Sequence, residues 1–467
     1  MILKKSLNLP YKDYTIANQL NDLGLYTMSA IKVRFAPSPT GYMHIGNTRT
    51  AIFNWLLSKK LGGKFMLRID DTDKERSKKE YEDAIRESLN WLGLTWSEEA
   101  RQSARFERYQ EITKKLIDEG RIYACYETAE ELDMMRKKLM TKGLPPIYDR
   151  SALKLTEEQI ATYKVEGRKP HYRFKLIDGD IVWNDLVRGE CRYNAANLSD
   201  PVIIRADGSY LYHLPSVIDD FDFGITHIVR GEDHVTNTAA QIQMFGAIGG
   251  TPPQFAHLPL LTGQEGKLSK RLGSIGVLDL RARGIEAMAI CSYLAKLGTS
   301  EAIEPFYDLE SLAKTLDFNK LGRSQPKFSE EDLARFNVHM VHNMPYSAIA
   351  SQIDADEKFW NVVRGNLNVV ADYKQWEDIC RCKVSPVIED AEFLSLAAEL
   401  LPPEPWDENT FNSWINEIKL KTGRKGKDLF HPLRKAITAM DDGPELKILL
   451  PLIGFERVHS RLNGQEA

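Results

Sequence analysis

The sequence predicts an α/β protein in which a doubly wound sheet is split by an α+β insertion and followed by an all-α C-terminal region. Strand and helix patterns alternate from residue 31, give way to charged helices and short strands near residue 108, and return after residue 201. From residue 301 onward the patterns are helical. Strands that alternate with helices are typical of a parallel sheet covered by helices.

The composition is that of a globular protein with enough apolar residues for a sizeable core. Of the 467 residues, 43% are hydrophobic and 27% are charged, and such a length corresponds to about three domains. A net charge of −4 excludes a uniformly basic coat for nucleic acid but allows a local basic face. The five cysteines have no regular spacing, which indicates a reducing compartment. Because no apolar run approaches the roughly 20 residues that cross a bilayer, we expect a cytoplasmic protein.

The first elements form a predicted parallel βαβ unit. Residues 31–36 (IKVRFA) and 64–70 (KFMLRID) have the apolar runs of buried strands. The segment between them has apolar residues at helical spacing and closes at two glycines, where a helix usually ends. These apolar residues are Ile45, Ile52, Phe53, Leu56 and Leu57. A strand, a helix and a second strand in this order make one crossover of a parallel sheet.

The changes of pattern set the predicted boundaries. Residues 1–28 precede the first strand and are expected to be an N-terminal extension outside the functional fold. The other predicted units are the first half of the sheet fold at 29–107, the insertion at 108–200, the second half at 201–250, a further region at 251–325 and the helical region at 326–467.

Residues 37–47 (PSPTGYMHIGN) stand between the first strand and its helix. Free N–H groups at a helix N-terminus favour an anion there. Gly46 would let the backbone approach a phosphate, and His44 would donate a hydrogen bond to a phosphate oxygen without a fixed charge. The alternative is that His44 only caps the helix and the glycines only shape the loop. Neither the GxGxxG of dinucleotide folds nor the GxxxxGK[ST] of P-loops is present in this segment.

A second segment suited to phosphate is GKLSKRLGS, residues 266–274. Lys267 and Lys270 flank a serine, and their charges suit the neutralisation of an α-phosphate that is attacked while pyrophosphate leaves. A lysine-rich loop by itself is more often simply solvated, so this string alone leaves both interpretations open.

Together, residues 37–47 and the KLSKR string at 267–271 resemble the signature pair of class I aminoacyl-tRNA synthetases. Further segments in the same order are similar to bacterial glutamyl-tRNA synthetases, and the resemblance extends from residue 31 to the C-terminus. These segments are 67–77 (LRIDDTDKERS), 210–234, 257–271 and 423–438. The resemblance implies a Rossmann-like class I catalytic domain, with an acceptor-stem-binding insertion, a stem-contact region at 251–325 and an anticodon-binding helical region.

The resemblance also implies a reaction. L-Glutamate and ATP give glutamyl-adenylate and pyrophosphate, and the glutamyl group then passes to the terminal adenosine of tRNA(Glu). In-line attack on phosphorus needs positioning and charge neutralisation, in which Mg²⁺ usually assists. We expect a monomer.

Glutaminyl-tRNA synthetases end in β-barrels, and RNA-free relatives of the pantothenate-synthetase or queuosine-glutamylating type have no helical tail of this length. A degenerate tRNA-binding paralogue without charging activity remains the alternative, although it would be expected to lose the ATP-site residues.

The matched motifs assign individual residues to two ligands. ATP is assigned to His44, Gly46, Lys267, Ser269 and Lys270, of which His44, Lys267 and Lys270 are the predicted catalytic residues. Glutamate is assigned to Arg34, Ala36, Ser38, Asp70, Tyr212, Ser216 and Arg230. The planar fork of arginine suits carboxylates, but which arginine takes which carboxylate stays open. Asp70 would hold the ammonium group, where many family members have glutamate. Asp71 and Asp73 fit either a substrate contact or a cap of the next helix.

No zinc is predicted. Some members of the family hold a structural zinc in the insertion through several cysteines, whereas the insertion here has only Cys125 and Cys191. Cys380 and Cys382 form an isolated CxC, which is too few thiols for a closed site of four ligands.

The basic stretch after residue 422 is the predicted tRNA contact. Arg424, Lys425 and Lys427 lie in it, and the alternative is a solvated face at a helix start. Family members that reject tRNA(Gln) use an arginine near the segment 366–376, and that segment contains none. Its absence favours an enzyme that charges tRNA(Glu) and also tRNA(Gln).

Overall fold

The structure is a computed structural model that describes residues 31–263 and 275–467. The predicted N-terminal extension, residues 1–28, and the segment with Lys267, Ser269 and Lys270 therefore lie outside the described residues. Among the described helices, none combines the length and the apolar character that a membrane crossing requires.

A five-stranded parallel sheet organises the catalytic region, with the strand order β10-β9-β1-β2-β3. Its strands are β1 Lys32–Phe35, β2 Lys64–Ile69, β3 Glu98–Arg101, β9 His227–Gly231 and β10 Gln254–Leu258. Val33 of β1 is in register with Phe65 on one side and with His227 on the other. The chain builds β1 to β3 in one direction and then returns to the other side of β1, which confirms the predicted doubly wound fold.

Helices cover this sheet. They are α1 Ile45–Lys60, α2 Lys79–Trp91, α6 His213–Asp222 and α7 Val235–Ile248. Helix α1 is buried on most of its circumference, with Ile52, Phe53 and Leu56 fully enclosed. It is the crossover between β1 and β2, so its N-terminus is fixed beside the carboxyl ends of the strands.

The insertion is an α+β unit that shares a hydrophobic core with the parallel sheet. It contains α3 Phe106–Asp118, β4 Ile122–Cys125, α4 Ala129–Thr141, α5 Glu157–Val165, β5 His171–Phe174, β6 Asp180–Asp185, β7 Gly189–Asn194 and β8 Val202–Ile204. Strands β4, β5 and β8 form one antiparallel sheet, and β6 and β7 form a hairpin.

Two strands belong to a different structural unit from the one that the predicted boundaries assign to them. β8 falls within 201–250, yet it pairs with β5 of the insertion. β10 lies beyond residue 250, yet it pairs with β9 of the parallel sheet. The local sequence can predict a short strand, but it does not indicate which strand it pairs with, because pairing joins residues that are distant in sequence.

The C-terminal part is helical, as predicted. Its elements are α8 Val277–Ala282, α9 Ala287–Lys296, α10 Leu309–Lys314, α11 Glu330–Asn343, α12 Glu357–Val363, α13 Tyr373–Arg381, α14 Ala391–Glu399, α15 Glu408–Thr422, α16 Lys427–Thr438, α17 Leu446–Ile453 and α18 Phe455–Leu462. A short strand pair, β11 Thr262–Gly263 with β12 Lys327–Phe328, joins it to the catalytic region. Trp360 and Trp414 are among its largest buried side chains.

Arg461 on α18 is fully buried and holds three chain segments together. Its guanidinium donates to the backbone oxygens of Ile437 at 2.8 Å, Cys382 at 3.0 Å and Ala467 at 2.8 Å. A buried carbonyl that loses its donor keeps the full desolvation penalty, so this side chain stabilises the packing of the last helices.

We expect Arg461→Ala to lower the melting temperature of the helical region by about 5 °C, because one buried and two partly buried acceptors lose their partner. Thermal denaturation followed by circular dichroism measures this shift. Arg457→Ala is the matched control, since Arg457 is an exposed arginine on the same helix. Equal melting temperatures for both variants would contradict the assigned role.

Candidate active site

A cavity of about 470 Å³ opens at the carboxyl ends of the strands, where β1 and β9 run side by side. This is the point at which the strand order reverses, and open α/β sheets bind their ligands there. Every residue that the sequence analysis assigned to ATP or glutamate, within the described part of the chain, lines this cavity. These residues are His44, Gly46, Arg34, Ala36, Ser38, Asp70, Tyr212, Ser216 and Arg230.

His44 caps helix α1 and also lines the cavity. Its Nδ1 accepts hydrogen bonds from the backbone N–H of Gly46 at 3.1 Å and of Asn47 at 3.4 Å. Burial lowers the pKa of the imidazole, so the ring is neutral and its proton is on Nε2. A Cβ on residue 46 would lie 3.0 Å from the ring, which explains the glycine. The two interpretations of His44 are therefore compatible, because the cap leaves Nε2–H as a hydrogen-bond donor.

The residues that follow the KLSKR segment contact the backbone around this histidine. His44 forms an isolated β-bridge with Gly276, and the N–H of Val277 donates to the carbonyl oxygen of Met43 at 3.1 Å. On the other side of the segment, Leu261 lines the cavity. Both described flanks of residues 264–274 thus lie at the cavity.

A buried cluster of two arginines and two aspartates forms the floor of the site. Asp220 on α6 accepts hydrogen bonds from Arg34 Nε at 3.0 Å and from Arg68 Nη1 at 2.7 Å. Arg68 also binds Asp70 through two hydrogen bonds, at 2.7 and 3.0 Å, and its Nη2 lies 3.4 Å from Ser216 Oγ. Such charges are tolerated inside a protein when they are paired and hydrogen-bonded. The cluster joins β1, β2 and α6 at the carboxyl edge of the sheet.

Asp70 is ionised at neutral pH in this arrangement. Burial raises the pKa of its carboxyl to about 6, against the opposing effect of the Arg68 guanidinium. The pKa of Asp220 is lowered because the stabilising charges of Arg34 and Arg68 exceed its desolvation. The two neighbouring aspartates do not cap α2. Asp71 accepts from the backbone of Ser103 at 2.8 Å, and Asp73 binds Arg76.

Arg230 on β9 differs from these arginines because it has no ion pair with a carboxylate among the described residues. It is 8% exposed, and its bonds are to neutral groups: Nε donates to His257 Nε2 at 3.2 Å and Nη2 to Thr238 Oγ1 at 2.6 Å. Burial lowers its pKa to about 10, so it remains charged at neutral pH. Burial without a counter-charge is unfavourable, so this cation at the cavity favours an anionic ligand.

Sequence reasoning missed Arg68 and Asp220, which complete the floor of the site. Both lie inside the quoted segments 67–77 and 210–234. A usable signal was present for Arg68, since a charged residue near the end of a buried strand must find a partner. No comparable signal identifies Asp220, whose partners lie on strands more than 150 residues earlier.

One group of potential metal ligands lies in the insertion. Single donor atoms of Cys125, Glu127 and His171 lie within 4.8 Å of one another. Glu127 Oε2 and His171 Nε2 are buried without a hydrogen-bond partner, while Tyr148 donates to Glu127 Oε1 at 2.6 Å. Burial raises the pKa of the Cys125 thiol to about 12. Three donors are fewer than the four of a closed zinc site, and the absence of zinc stays a prediction.

The basic residues after residue 422 are not equivalent. Arg424 forms an ion pair with Asp390 and lies over the ring of Phe393 at 4.1 Å, so it stabilises the helical packing. Lys425 and Lys427 are exposed. Their positive charges are therefore the better placed of the three for an external phosphate.

Comparison with known proteins places the chain in a class. Residues 30–335 match the family model described as the catalytic domain of class I tRNA synthetases (E and Q), and residues 387–465 match an anticodon binding domain. The chain therefore belongs to the class I aminoacyl-tRNA synthetases.

Within that class, the similar proteins are glutamate–tRNA ligases. Glutamate–tRNA ligase 1 of Maricaulis maris is 50% identical over 443 residues, which cover 93% of this chain and 100% of the relative. Glutamate–tRNA ligase 2 of Hyphomonas neptunium is 51% identical over 440 residues, with 92% and 99% covered. The crystal structure of a glutamate tRNA ligase from Elizabethkingia meningosepticum, in complex with its amino acid, has a TM-score of 0.77 at 27% identity and covers 93% of this chain and 99% of its own. The chain is a member of the glutamate–tRNA ligase family, which confirms the resemblance read from its motifs.

Proposed function

We propose that this chain activates L-glutamate with ATP and transfers the glutamyl group to the 3′ end of tRNA(Glu). The observation that carries the amino-acid part is the unpaired guanidinium of Arg230 in the cavity. The comparisons give no support to a degenerate paralogue, since the relatives at half identity are named as ligases.

Charge balance supports glutamate as the amino acid. Arg34, Arg68, Asp70 and Asp220 together form a neutral cluster, and the other charged residues among the described lining of the pocket, Arg49, Arg230 and Asp233, leave one net positive charge. Glutamate has two carboxylates and one ammonium group, and its single net negative charge complements the net charge of the pocket. Glutamine has no net charge and leaves the positive charge of the pocket uncompensated, which disfavours it in a desolvated site. Asp70 is the carboxylate proposed to accept the ammonium group.

The phosphate side of the cavity is proposed to be the N-terminus of α1. His44 Nε2–H and the N-terminal end of the helix suit phosphate oxygens, since Nδ1 is already occupied by the cap. The glutamate α-carboxylate attacks the α-phosphorus in line, and the bond to pyrophosphate breaks. Lys267 and Lys270 are proposed to neutralise the charge on the leaving group. Mg²⁺ would supply further charge neutralisation on the phosphates, and the exposed carboxylate of Asp233 at the cavity is of the ligand type it prefers.

On the tRNA side, we propose that the enzyme charges tRNA(Gln) as well as tRNA(Glu). The arginines that flank the segment 366–376 already have internal partners. Arg364 donates to the carbonyl oxygen of Met344 at 2.6 Å, and Arg381 binds Glu377 at 2.9 Å. These contacts hold both side chains against their own domain, which disfavours a role in rejecting an anticodon base. Lys425 and Lys427 are proposed phosphate contacts. We also propose that the protein is a cytoplasmic monomer, divided at the predicted boundaries except that β8 belongs to the insertion and β10 to the parallel sheet.

Charging of purified tRNA(Glu) and tRNA(Gln), with glutamate and with glutamine as the control amino acid, tests the proposed function. We expect glutamate on both tRNAs and no glutamine on either. Charging of tRNA(Glu) alone would limit the proposal to a discriminating enzyme. Charging of neither tRNA would overturn the assignment.

Arg230→Ala should raise the KM for glutamate by about 100-fold, because it removes a charge-assisted contact of about 3 kcal/mol. ATP–pyrophosphate exchange in the presence of tRNA measures this KM, and the KM for ATP should stay unchanged. Arg230→Lys keeps the charge but loses the planar fork, so its KM should be intermediate. An unchanged KM in the alanine variant would remove Arg230 from the pocket.

Lys270→Ala should abolish most adenylate formation while tRNA binding remains, since the lysine is proposed to act on the leaving pyrophosphate. Pyrophosphate exchange and a filter-binding assay with tRNA separate the two effects. Lys425→Ala offers the reverse control, with weaker tRNA binding and normal exchange at saturating tRNA. Normal exchange in the Lys270 variant would refute the role.

A further inference from the structure

Behind Arg230 lies a buried chain of hydrogen bonds that reaches into the insertion. His257 on β10 and Thr238 on α7 are both fully buried, and Asp185 at the end of β6 is 2% exposed. Asp185 Oδ2 lies 2.5 Å from His257 Nδ1, and His257 Nε2 lies 3.2 Å from Arg230 Nε. The order from the insertion to the cavity is therefore aspartate, imidazole, guanidinium.

The aspartate fixes which nitrogen of the imidazole carries the proton. A carboxylate beside Nδ1 requires an N–H there, because two lone pairs would repel each other. The other nitrogen is then an acceptor, and this is what Arg230 needs, since all its nitrogens are donors. Thr238 Oγ1 accepts from Arg230 Nη2 at 2.6 Å and lies 2.9 Å from His257 Nε2, so it ties the guanidinium and the imidazole together. One edge of the guanidinium is thus held by neutral acceptors, and its charge remains for a ligand.

The same aspartate belongs to the β6–β7 hairpin and anchors it on the sheet. Its Oδ1 accepts from the N–H groups of Val187 and Arg188, each at 3.0 Å, and so forms the hairpin turn. The N–H of Leu186 donates to the carbonyl oxygen of Phe255 on β10 at 2.9 Å. Hairpin and catalytic sheet therefore contact each other directly beneath the cavity.

We infer that Asp185 and His257 are positioning residues that aim Arg230 at a glutamate carboxylate, so that the hairpin of the insertion completes the amino-acid site. This inference rests on the proposed function, because it requires Arg230 to bind glutamate. Neither residue touches substrate. Their contribution is to hold the guanidinium in one orientation before the ligand arrives, which reduces the ordering that binding would otherwise require.

Two substitutions of His257 separate positioning from packing. In His257→Gln the amide oxygen occupies the place of Nε2 and still accepts from Arg230, whereas in His257→Asn the amide replaces Nδ1 and binds only Asp185. We expect the asparagine variant to raise the KM for glutamate about tenfold and the glutamine variant to raise it by less than about threefold, in line with one hydrogen bond. The KM for ATP should be unchanged in both.

Asp185→Asn gives an independent test from the insertion side. Its amide oxygen still accepts from the turn N–H groups, so the hairpin is retained, and circular dichroism checks the fold. The amide N–H facing Nδ1 of His257 favours the tautomer that carries its proton on Nε2. Two N–H groups then face each other, and the hydrogen bond from Arg230 Nε to His257 is lost. We therefore expect the same rise in the KM for glutamate as in His257→Asn.

Pyrophosphate exchange in the presence of tRNA(Glu) measures all three variants alongside Arg230→Ala. Equal effects of the asparagine and glutamine substitutions at residue 257, or an unchanged KM in Asp185→Asn, would overturn the positioning role while the large effect of Arg230→Ala stands. If Arg230→Ala itself leaves the KM unchanged, the proposed function of the arginine fails, and the inference fails with it.

Discussion

The carboxylate of Asp220 lies between Arg34 and Arg68, and the arrangement of the cavity depends on that contact. It fixes two positive charges of neighbouring strands against helix α6 at the edge of the sheet. Arg68 in turn holds Asp70, so the four side chains form one neutral, buried unit. Without Asp220, two guanidinium groups would face each other in a poorly solvated space, at a cost of several kcal/mol. The floor of the cavity is therefore preorganised before any ligand binds.

Because this unit is neutral, it does not compensate the positive charge of Arg230, which stays available to a ligand. Arg34 uses Nε and Nη2 for Asp220, whereas Arg230 is held by a histidine and a threonine. Neutral acceptors orient a guanidinium without cancelling its charge. The pocket can then distinguish a ligand with a net negative charge from a neutral one of similar shape. The insertion supplies the aspartate behind the histidine, which links the region proposed to bind the acceptor stem to the amino-acid site.

The sequence predicted the parts of this architecture that are local. The βαβ unit and the pair His44 and Gly46 were found because a strand, a glycine-containing turn and a helix follow one another within a few residues. The cap formed by Nδ1 of His44 has the same local origin. The assigned glutamate residues meet at one cavity because parallel strands bring their carboxyl ends to the same edge.

What the sequence did not disclose depends on contacts between distant segments. Asp185 and His257 are 72 residues apart and meet only because β6 packs beside β10. The pairing of β8 with the insertion has the same origin, and so does the meeting of Glu127 and His171 beside Cys125. Spacing within one segment carries no information about such partners. Arg424 shows the converse case, in which a residue of a basic segment is already engaged in the packing of its own domain.

A crystal structure of the chain with L-glutamate bound would test the central claim most directly. The account predicts that a glutamate carboxylate accepts a hydrogen bond from Arg230 at about 2.8 Å, while Asp220 keeps its contacts with Arg34 and Arg68. It also predicts that His257 still accepts from Arg230 Nε in the complex. Glutamate bound elsewhere in the cavity, with Arg230 in contact with neither carboxylate, would contradict the account.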